Sequence, residues 1–583
     1  SEASLLAGLP QAPAVYDPCE NVDAGLARQA TVLDQMVKAN YIDKTQAEQA
    51  AQKMASMLRA PDFGKHCQVP KVQIKAPHFV DYVRQQLEQQ FGPEVMYKGG
   101  LQVTTSLDPN LQAIAEDEAK KQIAALAGRN VTNAAVVVLD PHTGEILAML
   151  GSVDFNNAAI SGQVNVATSL RQPGSSIKPI NYVTVFGHGW TPATPIWDLK
   201  TNFPNGGGPP YVPTDYDLRE HGLVSARTAL ASSLNIPAVK TLYSTSTIGP
   251  NGKPEPLAMI QTAQKLGITT FTGADGDPGA PYGLALTLGG GDVKLIELTD
   301  AYAGFANNGA RMPTTPYVKI VDGHGHVIYD VKGKDKPRPV CAGFAPEAPD
   351  EQPDGQGACP KSAPYAYLIS SILSDNSART LGFGPNSILN LSRPAAVKTG
   401  TTNDFRDNWT IGYTSDLVTG VWVGNANNTP MRGVTGVTGA APIWHNIMER
   451  ALQNTPAREL AIPPGVVRET ICTDSGMRAT NLCPADHRRE EIFVEGHAPQ
   501  ANDNVWQSVQ CGSYVQVYQV PPHDVGDLIP YDQLSRRAAA LGWRVPPQGG
   551  LACIGAPEAP AIGPAPAKGP PPGKGKGKGK HKP

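Results

Sequence analysis

The sequence predicts an α+β domain over residues 131–455, an antiparallel sheet with its helices grouped into a subdomain, flanked by further modules on both sides. Three observations carry this expectation. An apolar run at 134–139 turns through Asp140-Pro141-His142-Thr143-Gly144 and returns as 146–150, a hairpin pattern. A second hairpin pattern stands late in the chain, where 409–413 and 418–423 are joined through Thr414-Ser415-Asp416. Between them lie long stretches of helical periodicity, so the strands meet only if the helices collect together.

The length of 583 residues allows three or four domains at roughly 100 to 200 residues each. Residues 1–60 read as helical, with Leu26, Ala30, Leu33, Met36 and Val37 at three and four residue steps. Thr45 followed by Glu48 has the spacing of a capping box opening a second helix. Pro61, Gly64 and Pro70 then break the pattern. Over 61–130, a linker module, the alternation Leu101, Val103, Thr105, Leu107 predicts a strand. Asp108-Pro109 supplies an N-cap and a first-turn proline for a helix bearing Leu111, Ala115, Ala119 and Ile123. Past 455, Pro463-Pro464 and paired cysteines suggest a small stapled module over 456–555. Residues 556–583 are rich in Pro, Gly and Lys, cannot bury a core, and are expected to be a disordered tail. His324-Gly325-His326 falls between two strand-like runs and reads as a hairpin tip, not a metal site.

Composition removes several function classes. The chain holds 49 Lys+Arg against 52 Asp+Glu, a net charge of -3, which argues against a dedicated nucleic-acid binder. The 59 glycines and 54 prolines point to a loop-rich architecture. The eight cysteines fall in neighbouring couples, Cys19 and Cys67, Cys341 and Cys359, Cys472 and Cys483, Cys511 and Cys553. None stands in zinc spacing, so local disulfides in an oxidising compartment are expected rather than a metal, with the pairing itself left open. No run of about 18 apolar residues exists, so no membrane span is expected in these residues. The opening Ser1-Glu2-Ala3 reads as the middle of a helix, and an upstream part bearing a membrane anchor is expected.

The chemistry concentrates in Gln172-Pro173-Gly174-Ser175-Ser176-Ile177-Lys178-Pro179. Pro173-Gly174 breaks the chain and Ser175 is expected to open a helix, placing its hydroxyl and the Lys178 amine one turn apart on one face. A serine hydroxyl attacks only when a neighbour removes its proton, and a lysine does this only if desolvation lowers its pKa. A surface N-cap serine beside a solvated lysine is the bland alternative. A second element, Ala396-Val397-Lys398-Thr399-Gly400-Thr401-Thr402, reads as an apolar edge strand ending in Lys-Thr-Gly. Gly400 lets another backbone approach, and Lys398, Thr399 and Thr401 offer charge and donors suited to a carboxylate. For a third, proton-relaying element there are two candidates, Ser233-Leu234-Asn235 and Ser374-Asp375-Asn376. The first is preferred, because the second reads as a helix end whose polar side chains bond their own backbone.

Ser-x-x-Lys, Ser-x-Asn and Lys-Thr-Gly in this order resemble the penicillin-binding proteins and serine β-lactamases. The stretches 172–179 and 398–404, together with Leu286-Thr287-Leu288-Gly289-Gly290-Gly291 and 301–309, are similar to the transpeptidase domain of class A, bifunctional penicillin-binding proteins. Residues 5–13 resemble the last helices of that family's glycosyltransferase domain, so 1–60 is expected to be its C-terminal remnant, and glycan polymerisation is not expected from these residues. The resemblance implies a penicillin-binding, β-lactamase-like transpeptidase fold, peptidoglycan stem peptides as substrate, β-lactams as covalent inhibitors, cell-wall synthesis partners, no cofactor and an extracytoplasmic location. It implies Ser175 as nucleophile, Lys178 as base, Ser233 as proton relay and Asn235 as holder of the substrate amide. Lys398, Thr399, Gly400 and Thr401 would form the carboxylate site, and the backbone N–H groups of Ser175 and Thr401 the oxyanion hole. The rival readings are a hydrolase of the same chemistry, β-lactamase or D,D-carboxypeptidase, and a penicillin-sensing module without turnover.

Overall fold

A computed structural model describes residues 1–67, 74–273, 282–547 and 550–553. The chain divides into two compact units, Ser1–Lys75 and the remainder from Ala76 onward.

In the first unit, helices Val22–Lys38 and Lys44–Leu58 pack together, and Met54 and Leu58 bury their side chains with Leu5. The second helix starts one residue before the expected Thr45. Asp43 accepts from the Gln46 amide N–H and Gln46 reaches back to the Asp43 N–H, so the capping box is Asp43/Gln46 rather than Thr45/Glu48. Thr45 already lies inside the first turn, whereas Asp43 has the extended backbone an N-cap needs. Cys19 and Cys67 form a disulfide that closes this unit.

The second unit is built on a five-stranded sheet. Its strands are β1 Asn133–Leu139, β2 Ile146–Leu150, β3 Ala396–Thr401, β4 Asp407–Tyr413 and β5 Val418–Gly424. The order is β3-β4-β5-β1-β2, every pair antiparallel, so both predicted hairpins enter one sheet and the Lys-Thr-Gly strand is its edge. Trp409 and Trp422 stand directly opposite each other across β4 and β5.

Helices cover both faces. On one, Ala134, Val136 and Val138 meet α1 (Pro109–Ala125) and the late helix Ala440–Leu452 through Ala115, Trp444 and Met448. On the other, Ala135, Val137, Leu139, Ile411 and Tyr413 meet the helical subdomain. That subdomain includes α2 Lys178–Gly187, α3 Ala226–Ala231, α4 Asn235–Thr245, α5 Leu295–Ala306 and α6 Ala363–Leu373. Burial on both faces is why β1, β4 and β5 are buried at every position and why 134–139 reads as a continuous apolar run. Each such Val or Leu contributes about 1.5 to 3 kcal/mol by leaving water.

Asp108 caps α1 as expected, accepting from the Asn110 and Leu111 amides, and Pro109 fills the first helical position. The strand before it is Gln102–Thr105, paired antiparallel with Tyr317–Val321. The His324–His326 stretch turns between Tyr317–Val321 and Val327–Asp330, with Asp322 accepting from both histidine amides. Past α7 (Ala440–Leu452), strands Val466–Cys472 and Arg488–Val494 pair, as do Trp506–Cys511 and Tyr514–Gln519. Disulfides Cys472–Cys483 and Cys511–Cys553 staple this part, and Cys341–Cys359 closes a loop in the middle of the chain. The expected tail at 556–583 lies outside the described residues. Among the described residues, no helix is long and apolar enough to cross a membrane.

Candidate active site

Ser175 does not open the helix itself. It sits in a 3-10 turn, Gly174–Ile177, that runs directly into α2, whose first residue is Lys178. Pro179 occupies an early helical position, which fixes the helix start at Lys178 and leaves the preceding turn free to tighten. Three bonds hold that turn. The Ser176 hydroxyl donates to Pro173 O at 2.7 Å, the Tyr302 hydroxyl of α5 donates to Ser176 O at 2.6 Å, and the Trp409 indole of β4 donates to Gln172 O at 2.7 Å.

The turn lies in a corner only glycines allow. Gly174 (φ +55°) packs on the Thr401 backbone, and a Cβ there would lie 2.7 Å from Thr401 O. Gly289 (φ +93°), from the Leu286–Gly291 stretch, faces Gly174 so closely that a Cβ would come within 2.3 Å of Gly174 N. A Cβ on Gly400 would meet Pro173 O at 2.2 Å. The Lys-Thr-Gly edge is therefore pressed against the Ser175 turn, and the role of Gly400 is this approach of chain to chain.

Ser233 belongs to the tight link between α3 and α4 and takes a left-handed backbone, φ +63°, unusual for a serine. Asn235 is the first residue of α4. Lys178 Nζ points into this link, donating to Ser233 O at 2.7 Å, Leu234 O at 3.0 Å and Asn235 Oδ1 at 2.7 Å. Three acceptors match the three hydrogens of an ammonium, so deprotonation frees a lone pair from one of them. Burial holds Lys178 down to about 7, against the opposing pull of Asp215 and Asp198. Lys398 Nζ comes from β3 and donates to Ser233 Oγ at 2.7 Å and to Thr399 O at 2.9 Å. Burial first, and then the Lys178 and Arg379 charges, hold Lys398 well below the usual lysine range. Two buried lysine amines thus share Ser233, one on its carbonyl and one on its hydroxyl.

Ser175, Ser233, Asn235, Thr399 and Thr401 line one cavity of about 450 Å³. Tyr216, Leu381 and Phe383 add apolar surface, with Tyr216 and Leu381 themselves exposed. Thr401 Oγ1 accepts from the Gly436 amide at 2.9 Å, and among the described residues no acceptor takes its own hydrogen. The second Ser-x-Asn candidate lies elsewhere. Ser374–Asn376 follows α6, and Asp375 accepts from Ala378 N, Arg227 and Arg489.

Sequence reasoning missed the acidic support. Asp215, buried, accepts from the backbone N–H of Asn235, and Asn235 Nδ2 donates to Thr214 O at 2.9 Å. Asp198 accepts from the His221 ring at 2.6 Å, and burial followed by the neighbouring Asp215 pushes Asp198 up to about 7. Asp198, Asp215 and His221 are, among the described residues, the one trio of metal-capable side chains with ligand atoms within 4.8 Å of one another. Both His221 nitrogens are engaged by carboxylates, Asp198 and Asp217. The only sequence signal was a Thr-Asp-Tyr-Asp run shortly before Ser-Leu-Asn, which has no periodicity to single it out.

A buried lysine beside a serine turn, a Ser-x-Asn link and a Lys-Thr-Gly edge thus come together around one cavity. The profile described as "Penicillin binding protein transpeptidase domain" matches residues 134–449, more than half of the chain, and that of "Penicillin-binding protein 1A, C-terminal domain" matches 462–508. Penicillin-binding protein 2D of Bacillus subtilis (strain 168) is 30% identical over 509 residues, covering 86% of this chain and 65% of that protein. Penicillin-binding protein 1A of Aquifex aeolicus (strain VF5) is 25% identical over 581 residues, 85% of this chain and 72% of the relative. This chain thus spans about two thirds of the length of these relatives. A crystal structure of penicillin-binding protein 1A from Haemophilus influenzae superposes with a TM-score of 0.61 at 22% identity, covering 86% of each chain, which shows a shared fold. The chain belongs to the penicillin-binding protein transpeptidase family.

Proposed function

We propose that this protein is a serine D,D-transpeptidase that cross-links peptidoglycan stem peptides in the cell envelope, outside the cytoplasm, and that β-lactams acylate the same serine. The observation that carries this reading is the buried Lys178 amine, lowered to about 7 and hydrogen-bonded to Ser233 and Asn235, which line one cavity together with Ser175, three residues before the lysine.

Ser175 Oγ attacks the carbonyl between the two terminal D-alanines while its proton passes to Lys178. Oxyanion charge develops in the corner where the Ser175 turn meets the Thr401 backbone, whose N–H groups donate to it, an effect worth about 3 kcal/mol per donor. The C–N bond breaks, and the proton returns from Lys178 through the Ser233 hydroxyl to the departing nitrogen, releasing D-alanine and leaving an ester on Ser175. The amine of a second stem then attacks the ester carbonyl and gives up a proton. Ser175 recovers its hydroxyl hydrogen and a peptide cross-link forms.

Thr399 and the free Thr401 hydroxyl hydrogen bind the substrate's terminal carboxylate, with the Lys398 charge behind them. Asn235 keeps one Nδ2–H and one lone pair for the substrate amide, since its other valences are taken by Lys178 and Thr214. Along the chain, the helical 1–60, the linker 61–130, whose helix α1 packs on the sheet, and the disulfide-stapled part over 456–555 flank the 131–455 transpeptidase. Four disulfides support an oxidising compartment.

The test is intact mass after incubation with a β-lactam, followed by peptide mapping. One adduct on Ser175, absent in Ser175→Ala, supports the site, and an adduct elsewhere refutes it. Supplying an amine acceptor separates cross-linking from hydrolysis. Acyl-enzyme that water resolves as fast as amine would favour the hydrolase.

A further inference from the structure

The Ser232–Leu234 link is strained at Ser233, and such a backbone persists only where its surroundings over-determine it. Lys178 and Lys398 hold it from the substrate side. The helices on either side of it are held by something else. α3, which leads into the link, carries Arg227, and α4, which leads out of it, carries Lys240. Both cations are buried, and both find their principal carboxylate in the C-terminal module.

Arg227 Nε donates to Glu491 Oε2 at 2.8 Å, and a second nitrogen donates to Glu491 Oε1, a bidentate pair in which each side chain is 3% exposed. Glu491 sits in strand Arg488–Val494. Lys240 Nζ donates to Asp524 Oδ1, and both side chains are 0% exposed. Asp524 is fixed in turn by the Ile529 amide, and Trp197 donates to the neighbouring Pro522 O at 2.9 Å. Asp375, of the unused Ser-Asp-Asn stretch, completes the arrangement by accepting from both Arg227 and the module's Arg489. A buried charge is tolerated only with its partner in place, so each pair dictates where its helix lies.

We propose that the C-terminal module works as a clamp on the active site: Glu491 and Asp524 grip the helices on both sides of Ser233 and hold the Ser233-Leu234-Asn235 link in its working conformation. They are positioning residues, acting through α3 and α4 on the groups that meet Lys178. The proposal rests on the reading of Ser175 as the acylated serine. It gives the module a part in acylation that its distance in sequence conceals.

The experiment uses the full chain and measures β-lactam acylation well below the unfolding temperature, separating noncovalent affinity from the acylation rate constant. Asp524→Asn and Glu491→Gln remove the anions. Asp524→Glu keeps the ion pair but moves the carboxylate by one methylene, which serves where the neutral variants do not fold. Each is expected to lower the acylation rate constant tenfold or more with affinity within about twofold, and Glu490→Gln, an exposed ion pair of the same module, to change neither. Folded variants with a lower Tm and a wild-type acylation constant would overturn the clamp and leave the module a stabilising appendage. Labelling that survives Ser175→Ala would instead sink the reading of the site itself.

Discussion

Lys398 Nζ donates to Ser233 Oγ across 2.7 Å, so a buried amine from the sheet edge and a hydroxyl from the helical subdomain share one hydrogen bond behind the cavity wall that Ser233 lines. Lys398 takes one of the two lone pairs of this oxygen, so in the proposed relay the other accepts the proton from Lys178 while the hydroxyl hydrogen passes to the departing nitrogen. Ser233→Ala removes that hydrogen. Acylation is expected to fall by about 100-fold or more, the scale of a lost general acid, with β-lactam affinity much less affected. Stopped-flow acylation kinetics give both quantities.

The pH dependence follows from Lys178. Its folded pKa is lowered to about 7, and in the proposed mechanism the neutral amine is the reactive form. Acylation is therefore expected to drop tenfold per pH unit below about 7 and to level off above it. Stability has its own dependence. Between about 7 and the unfolded lysine value the unfolded chain binds the extra proton, so this group makes folding more favourable as pH rises through that window. A rate profile flat from pH 5 to 8 would contradict Lys178 as base.

Asp215 opposes the lowering of Lys178 while accepting from the Asn235 amide. Asp215→Asn removes a nearby anion, which makes the ammonium less favourable. The acid limb of the acylation profile is expected to move to lower pH, together with a reduced plateau as the Asn235 contact weakens. A limb that stays in place or moves up would show that the carboxylate does not act on Lys178.

Gly289→Ala places a methyl 2.3 Å from Gly174 N at a positive φ, and no flexible side chain can yield. Strain of this kind costs about 1 to 3 kcal/mol before any clash is counted. The variant is expected to lose Ser175 labelling and to melt several degrees lower, read by fluorescent β-lactam labelling and thermal denaturation.

All eight cysteines are paired, with none free. Protein unfolded without reductant is expected to take up no maleimide, and Cys472 and Cys483 to share one non-reduced proteolytic fragment. Maleimide uptake on any cysteine would exclude its bridge.

Much of the site is legible in residue order because its chemistry is local. Ser175 and Lys178 lie one turn apart, and Lys398 through Thr401 share one strand, so short spacings already carry the geometry. The hairpins at 134–150 and 409–423 are legible for the same reason, as neighbours in sequence that become neighbours in space. The start of the second N-terminal helix was misplaced because two capping residues two positions apart compete, and only backbone conformation chooses between Asp43 and Thr45.

Residue order on its own determined the family, the three motifs and the alternation of apolar residues that builds the sheet. Folding alone decided that Asp215 supports Asn235, that Gly289 faces Gly174, and that Glu491 and Asp524 pair with cations beside Ser233. The physical reason is one of range. Propensity and periodicity act within a few residues, whereas desolvation, ion pairing and close backbone approach depend on which distant segments are brought together, and no local pattern records that.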